Sequence, residues 1–269
     1  MFIKTAGAMQ NLQSLGQNNK ALSKIQEKLA SGKKINRASD DAAMLAVAKE
    51  LEKQVRGFSQ SEVNIGDAMS VLNIADGTGT EVNNMLQRQR ELSLQASNGT
   101  LNQNDRDALN AEYQQLNQEI ERISKSANFN GQGVADGSSP LSDGTGQVAT
   151  SAGNSNFANV DYTQYSSNGD ISSLAGAQSA LETVDASIEG VNSTRAEIGA
   201  RNNALEHSQN NIANQKVNTA AAQSLAEDLD YAAGISEQAR AGLLNQSSNA
   251  ALGHFNSIAK ANMSALLSG

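Results

Sequence analysis

The chain has 269 residues, no cysteine, no tryptophan and a formal net charge of −8, and aromatic residues make up only 3% of it. The lack of cysteine excludes disulfides, thiolate metal sites and cysteine nucleophiles, and no run of about 18 apolar residues indicates a membrane span. Because so few aromatics favour narrow helical seams over a thick core, we expect an elongated molecule.

The charge is unevenly distributed along the chain. Residues 1–58 hold ten Lys/Arg against five Asp/Glu, so the remainder is strongly acidic. A basic end could bind nucleic acid or a membrane, or it could pack against another copy or the acidic remainder. We favour packing, because the cations alternate with Glu along helix faces and no aromatic stacking residues accompany them. Neither nucleic-acid binding nor membrane insertion is therefore expected.

Apolar spacing predicts two helices in the first hundred residues. A short one before Gly32 has a seam of Leu15, Leu22, Ile25 and Leu29. A long one over about 42–97 follows Ser39, Asp40 and Asp41, which suit a helix N-terminus. Glu62 is the only break in the a/d spacing of its first half, whose members are Met44, Ala48, Leu51, Val55, Phe58, Ile65, Met69 and Leu72.

Three more helices are predicted beyond a turn at 98–104. The seam of the next comprises Leu109, Tyr113, Leu116, Ile120, Ile123 and Ala127. The following seam comprises Leu181, Val184, Ile188, Val191, Ile198, Leu205 and Ile212, interrupted by Arg195, Asn202 and Gln209. Polar seam residues cost stability but fix register. A last helix is predicted from about 235 to 267.

The middle of the chain has a different character. Residues 131–170 are rich in Gly, Ser, Asn, Thr and Asp and contain the single proline, Pro140. This composition predicts loop with a few short strands. The predicted fold is mainly α: an elongated helical hairpin, or coiled coil, of N- and C-terminal helices with a small β-hairpin and loop region in the middle.

Several motifs in this order resemble those of bacterial flagellins. They are Leu29–Ala43 (LASGKKINRASDDAA), Leu86–Thr100 (LQRQRELSLQASNGT), Asp105-Arg106, Glu112, Phe129-Asn130-Gly131, Asp228–Ala232 and Gln238–Asn249. The resemblance covers about residues 1–134 and 175–269. It implies a filament-core coiled coil from 1–40 and 225–269, a helical middle domain from 41–134 and 174–224, and a short variable surface segment at 135–173.

The same resemblance implies function, partners and location. It implies a non-enzymatic structural subunit that polymerises with itself into the extracellular flagellar filament for motility. It also implies type III export with an export chaperone, contact with hook-associated and cap proteins, and no cofactor. Met1–Lys4 lead into a polar stretch without the apolar core of a cleaved signal, which agrees with such a route.

Two sets of site residues follow. Terminal seams that are marginal alone gain burial when many copies stack through a non-closing interface, and we assign this role to Leu15, Leu22, Ile25, Leu29, Leu244, Phe255 and Ile258. By resemblance, a second surface packs between subunits and binds the vertebrate innate immune receptor TLR5. It comprises Gln87, Arg88, Arg90, Glu91, Leu92, Gln95 and Glu112. The alternative is that Arg88, Arg90 and Glu91 form a solvated helix face.

Other interpretations have less support. Asp40-Asp41 could be a catalytic pair, but helix capping explains both. His207 and His254 lie far apart and match no zinc motif. A hook–filament junction protein shares similar terminal regions but normally lacks the full Leu86–Gln95 motif, and a non-polymerising coiled-coil adaptor would bind partner helices through the same seams. An enzyme ranks third, because no acid, base and nucleophile come together.

Overall fold

The computed structural model describes residues 2–144, 146–150, 153–166 and 169–267. Its long helices are α1 (Phe2–Ser31), α2 (Ala42–Ala96), α3 (Gln103–Ser126), α4 (Leu174–Glu227) and α5 (Tyr231–Leu267). Between α3 and α4 lie β1 (Asn128–Phe129), β2 (Gln132–Gly133), β3 (Gln147–Thr150), β4 (Gly153–Asn156) and a 3₁₀ turn at Thr163–Tyr165. The mainly α prediction is confirmed.

Several helix boundaries differ from the prediction. The first helix is not short, because α1 runs for 30 residues from Phe2. Helices α4 and α5 also begin earlier than the apolar pattern indicated, at Leu174 and Tyr231. The added turns contain mostly Ala, Gly, Ser and polar residues, which continue a helix without adding an apolar stripe. Periodicity therefore could not detect them.

The polar residues before α2 divide their roles. The Asp41 carboxylate accepts a hydrogen bond of 2.9 Å from the Met44 amide and so caps the helix. Asp40 instead accepts from the amides of Arg37 and Asn36, at 3.1 and 3.3 Å. The bond from the Arg37 amide lowers the pKa of Asp40. The capping prediction is thus confirmed for Asp41 and wrong for Asp40. The Asp40 carboxylate instead stabilises the loop before α2 by accepting hydrogen bonds from its amides.

The chain divides into two compact units. One comprises residues 1–54 and 218–269, and the other comprises residues 55–217. Both divisions fall inside a continuous helix, α2 in the first case and α4 in the second. In the first unit, α1 packs against α5. In the second, the core lies between α2, α3, α4 and the middle segment.

In the second unit, α2 and α4 are joined by polar pairs as well as by the apolar core. The Glu62 carboxylate, which broke the predicted seam, accepts a 2.7 Å hydrogen bond from Lys216. The Arg195 guanidinium bonds Asp76 at 2.8 Å, and the Asn202 amide donates to Asn73 at 3.2 Å. Polar groups at these seam positions bond across to the other helix, so their pairing with specific partners favours one alignment of α2 against α4.

The middle segment forms two small hairpins. Strands β1 and β2 pair antiparallel around Asn130 and Gly131, both at positive φ, as a two-residue hairpin turn requires. Strands β3 and β4 form a second antiparallel pair. The Asn64 amide of α2 donates to the Ala149 carbonyl of β3 at 2.8 Å, and Arg201 of α4 donates to the Asn156 carbonyl of β4 at 2.7 Å. Both helices therefore hold the second hairpin. The predicted loop with short strands is confirmed.

Candidate assembly surfaces

The covered face of α1 is the predicted apolar seam. Half-buried residues recur along α1 with steps of four and three, as expected for a helix packed on one partner. They are Asn11, Leu15, Asn18, Leu22, Ile25 and Leu29. Because α5 is the helix that packs on α1, this stripe is the one that α5 covers. The four residues of α1 that were predicted for polymerisation thus contribute to the subunit's own helix pair.

The polarity of α5 is inverted relative to an ordinary amphipathic helix. Its covered stripe is built from Gly234, Gln238, Ala241, Asn245, Ser248 and Leu252. Leu252 is the one large apolar residue of this stripe, whereas Leu243 and Leu244 lie outside it and are 68% and 49% exposed. Ile235, Ile258 and Met263 are also exposed. A soluble helix normally buries its large apolar residues and exposes the small and polar ones, so α5 carries an apolar surface that its own subunit does not cover.

Two glycines show how α1 and α5 align. A Cβ atom at Gly234 would lie 3.0 Å from a methyl carbon of Leu29, and one at Gly7 would lie 3.7 Å from the Phe255 ring. The two contacts show that α1 and α5 are antiparallel. An equal number of residues back from Leu29 along α1 and forward from Gly234 along α5 therefore brings Asn18 level with Asn245. The Asn245 side-chain oxygen is buried and has no hydrogen-bond partner. Of the predicted residues on α5, Phe255 lies beside Gly7 of α1 but remains 36% exposed, and Leu244 and Ile258 are 49% and 38% exposed.

The second candidate surface lies where α2 faces α3 and α4. The Arg88 guanidinium bonds Glu112 of α3 at 2.8 Å and Glu91 of its own helix at 3.0 Å. The hydrogen bond to Glu112, with that to Glu91, raises the pKa of Arg88. Arg90 bonds Asp185 of α4 at 2.6 Å. The structure thus brings Arg88, Glu91 and Glu112 together, and these side chains remain about half exposed or more.

The remaining residues of this motif divide between surface and core. Gln87 and Gln95 are exposed, as predicted. Leu92 is 0% exposed because it flanks the stripe that α2 buries, so its side chain lies in the core and not on the surface around Arg88. That stripe includes Gln89, which the sequence analysis missed and whose amide donates to Asn117 at 2.7 Å. The exposed leucine of the motif is Leu94, at 57%.

Nothing in the described part of the chain forms a metal centre or a membrane span. No three acidic or histidine side chains there come together in a way that could hold a metal ion. None of the described helices combines the length and the apolar character that crossing a bilayer requires. The two candidate surfaces are thus the exposed apolar residues of α5, in the first unit, and the polar face around Arg88, in the second unit.

Comparison with known proteins agrees with this description. Residues 4–140 match the model of the bacterial flagellin N-terminal helical region, and residues 181–266 match the bacterial flagellin C-terminal helical region. The chain is 37% identical to a flagellin of Halalkalibacterium halodurans, over 93% of each chain. It is 34% identical to the flagellar filament 30.7 kDa core protein of Treponema maltophilum, over 91% of this chain and 92% of the other.

A solved structure agrees as well. The crystal structure of Bacillus cereus flagellin superposes with a TM-score of 0.50 at 32% identity, covering 60% of this chain and 94% of that one. Both terminal family models match in the expected order, and the relatives are similar to this chain over almost their whole length. The chain belongs to the bacterial flagellin family.

Proposed function

We propose that this chain is the structural subunit that polymerises into the bacterial flagellar filament. The observation that carries the proposal is the inverted polarity of α5, which leaves Leu243, Leu244 and Ile258 exposed. Large apolar residues that are left exposed together, rather than singly, mark interaction sites. Repetition of one heterologous contact between identical subunits produces a helical filament when the rotation does not close.

The segment roles follow from this proposal. Residues 1–40 and 225–269 would form the filament core, residues 41–134 and 174–224 the surrounding helical domain, and residues 135–173 the outer surface. Extracellular location, an export chaperone and contact with hook-associated and cap proteins belong to the same proposal. The family relationship supports these assignments.

The test is polymerisation of the purified chain. Seeding or salting-out should convert the protein into long polymers that sediment and that electron microscopy resolves as filaments. A chain that remains unpolymerised under all such conditions would instead be a coiled-coil adaptor. A junction protein would form only short or ring-like assemblies, which the same micrographs would distinguish.

We also propose that the surface around Arg88 binds the receptor TLR5, through Arg88, Glu91 and Glu112, with Gln87, Arg90 and Gln95 around them. Arg88 presents a guanidinium held by two carboxylates on a half-exposed face. Arginine is enriched among the residues that dominate binding energy at interfaces. Leu92 is left out of this proposal because it is buried.

A matched pair of variants tests the receptor proposal. Arg88→Ala should lower receptor signalling in a reporter-cell assay. Arg122→Ala should not, although Arg122 forms a comparable surface pair with Glu119 on α3. Equal signalling by both variants and the parent would exclude a recognition role for Arg88.

A further inference from the structure

The turn between α2 and α3 contains an Asn-Gly pair, Asn98-Gly99, whose side-chain amide is held on one side only. The Oδ1 atom of Asn98 accepts hydrogen bonds from the Thr100 amide at 3.1 Å and from the Thr100 hydroxyl at 3.0 Å. Within the described residues, the Nδ2 group of Asn98 makes no hydrogen bond. All three residues are exposed. Water therefore reaches the amide, while Thr100 holds its carbonyl oxygen.

The peptide that joins Asn98 to Gly99 is polarised as well. Its carbonyl, on Asn98, accepts hydrogen bonds from the Arg106 guanidinium at 3.2 Å and from the Leu101 amide at 3.3 Å. Its N–H, on Gly99, donates to no atom in the part of the chain that the structure describes. A cation near a group favours the form of that group with the lower positive charge. Arg106 therefore favours loss of the Gly99 amide proton to water, which makes the nitrogen nucleophilic.

The side chain of Asn98 lies where this nitrogen can attack it. A bond from an Asn side-chain oxygen to the amide two residues on closes an Asx-turn, which folds the side chain back along the next peptide. When the Gly99 nitrogen bonds to Cγ of Asn98, negative charge develops on Oδ1. Hydrogen-bond donors that are already in place stabilise such charge, and Thr100 supplies two of them.

We propose that Asn98 is a self-modification site, at which the turn itself promotes conversion of Asn98 to aspartate and isoaspartate. The deprotonated Gly99 nitrogen bonds to Cγ of Asn98. The bond from Cγ to Nδ2 then breaks, so that ammonia leaves with a proton taken from water and a five-membered succinimide ring remains. Water opens this ring at either carbonyl, giving aspartate or an isoaspartate whose main chain runs through Cγ. Overall, one water is consumed and one ammonia is released, without an oxidant or a reductant.

A second Asn-Gly pair shows what the turn adds to the sequence. Asn130-Gly131 is also exposed, in the hairpin turn between β1 and β2. No hydrogen bond among the described residues uses the Asn130 side chain, so its carbonyl lacks the donors that Thr100 gives to Asn98. A third pair, Asn168-Gly169, begins outside the described residues. The sequence alone predicts equal reactivity at positions 98 and 130, whereas the geometry points to position 98.

The modification changes the charge at the end of α2. A carboxylate at position 98 opposes the partial negative charge of a helix C-terminus. It also competes for the Arg106 guanidinium, which donates to the Ala96 and Asn98 carbonyls at 3.2 Å. The modified turn therefore loses part of the contact that ends α2. All of these residues belong to the second unit, so the chemistry requires neither the terminal helices nor polymerisation.

Mass spectrometry of the full chain after incubation at mildly alkaline pH measures the reaction. Trypsin isolates Asn98 in peptide 91–106 and leaves Asn130 in peptide 126–195. Fragment ions identify the modified residue, and labelling by an isoaspartyl methyltransferase reports isoaspartate. In the folded chain, residue 98 should be converted about two- to tenfold faster than residue 130, the kinetic equivalent of one ordinary hydrogen bond. In urea the two rates should converge, because glycine follows both residues.

Variants of the turn separate the geometry from the sequence. Thr100→Val removes the hydroxyl donor and should slow conversion of residue 98 about two- to tenfold. Thr100→Ser is the matched control, because it keeps the hydroxyl and should keep the rate. Gly99→Ala should also slow the reaction, since its methyl group obstructs the attack, and the fold has room for it because a Cβ there meets no atom within 4 Å.

Far-UV circular dichroism of each variant checks that the helices are intact. Equal rates at residues 98 and 130 in the folded parent would overturn the proposal, and so would a parental rate in a helical Thr100→Val variant. The comparison within the parent needs no substitution, so it decides the question even where a variant fails to fold.

Discussion

The phenol ring of Tyr162 lies directly against Gly79 of α2. A Cβ atom added at Gly79 would be 2.8 Å from Cζ of Tyr162 and 3.1 Å from Cγ of Arg195. The Tyr162 side chain is fully buried, and its hydroxyl has no hydrogen-bond partner. Two other tyrosines make similar contacts, Tyr165 with Gly190 and Tyr113 with Gly169. In the second unit, glycines thus make room for the tyrosine rings between the middle segment and the helices.

The first prediction compares two glycines on the same helix. We expect Gly79→Ala to lower the free energy of unfolding by about 1 kcal/mol, because overpacking costs of about 1–3 kcal/mol outweigh a helix-propensity gain of about 1 kcal/mol. Gly77→Ala should instead raise it by up to about 1 kcal/mol, since a Cβ there meets no atom within 4 Å. Urea unfolding followed by tyrosine fluorescence would measure both. Similar effects of the two substitutions would show that Tyr162 does not need the glycine.

The second prediction concerns alkaline pH. Burial raises the pKa of Tyr162 well above its ordinary value of 10.0. Since the unfolded chain then loses this proton at lower pH than the folded chain, the contribution of Tyr162 to stability is complete below pH 10 and declines as pH rises above it. Tyr162→Phe should therefore lose less stability between about pH 9 and 11 than the parent, a difference measured by urea unfolding across that range.

The same variant should cost little at neutral pH. The buried hydroxyl has no partner, so its removal relieves a desolvation penalty and leaves no donor or acceptor unpaired. We expect the change at pH 7 to stay within about 1 kcal/mol of the parent. A large loss of stability at pH 7 would mean that the hydroxyl makes a bond through ordered water.

Sequence periodicity predicted the helices well but not how charges pair. The apolar residues of α2 follow a/d spacing, so a single stripe was visible without any partner. The spacing marks Glu62 as a break in the apolar stripe of α2, yet its carboxylate pairs with Lys216 of α4. Pairs of this kind depend on the alignment of two distant helices, which spacing within one helix cannot reveal. Arg195 and Asn202 were recognised as seam residues, but their partners on α2 were not.

The two candidate surfaces were predictable to different degrees. The motif from Leu86 to Gln95 was found by resemblance, but the resemblance could not tell which leucine is buried. Leu92 lies in the core and Leu94 lies outside it. The inverted polarity of α5 was not predicted at all, because a helix with apolar residues around much of its circumference gives no clear stripe. Packing against α1 decides which side is covered.

The third prediction uses this pair of leucines. Leu92→Ala should destabilise the second unit by about 2–5 kcal/mol, as expected for truncation of a fully buried leucine. Leu94→Ala should change stability by less than about 0.5 kcal/mol, because its side chain is mostly exposed. Thermal unfolding of both variants would measure the difference. If Leu92→Ala were as stable as the parent but bound another protein differently, Leu92 would belong to an interface and not to the core.

The fourth prediction concerns the apolar surface of α5. We expect the double variant Leu243→Gln, Leu244→Gln to lose most of its sedimentable polymer after seeding, because it removes two large apolar side chains that the subunit itself leaves exposed. Its helix content in dilute solution should match that of the parent, since neither residue contributes to the stripe packed on α1. Leu174→Gln, at the start of α4, is the control, because Leu174 has a similar exposure. Polymers formed normally by the α5 variant, or lost equally in the control, would contradict assembly through this surface.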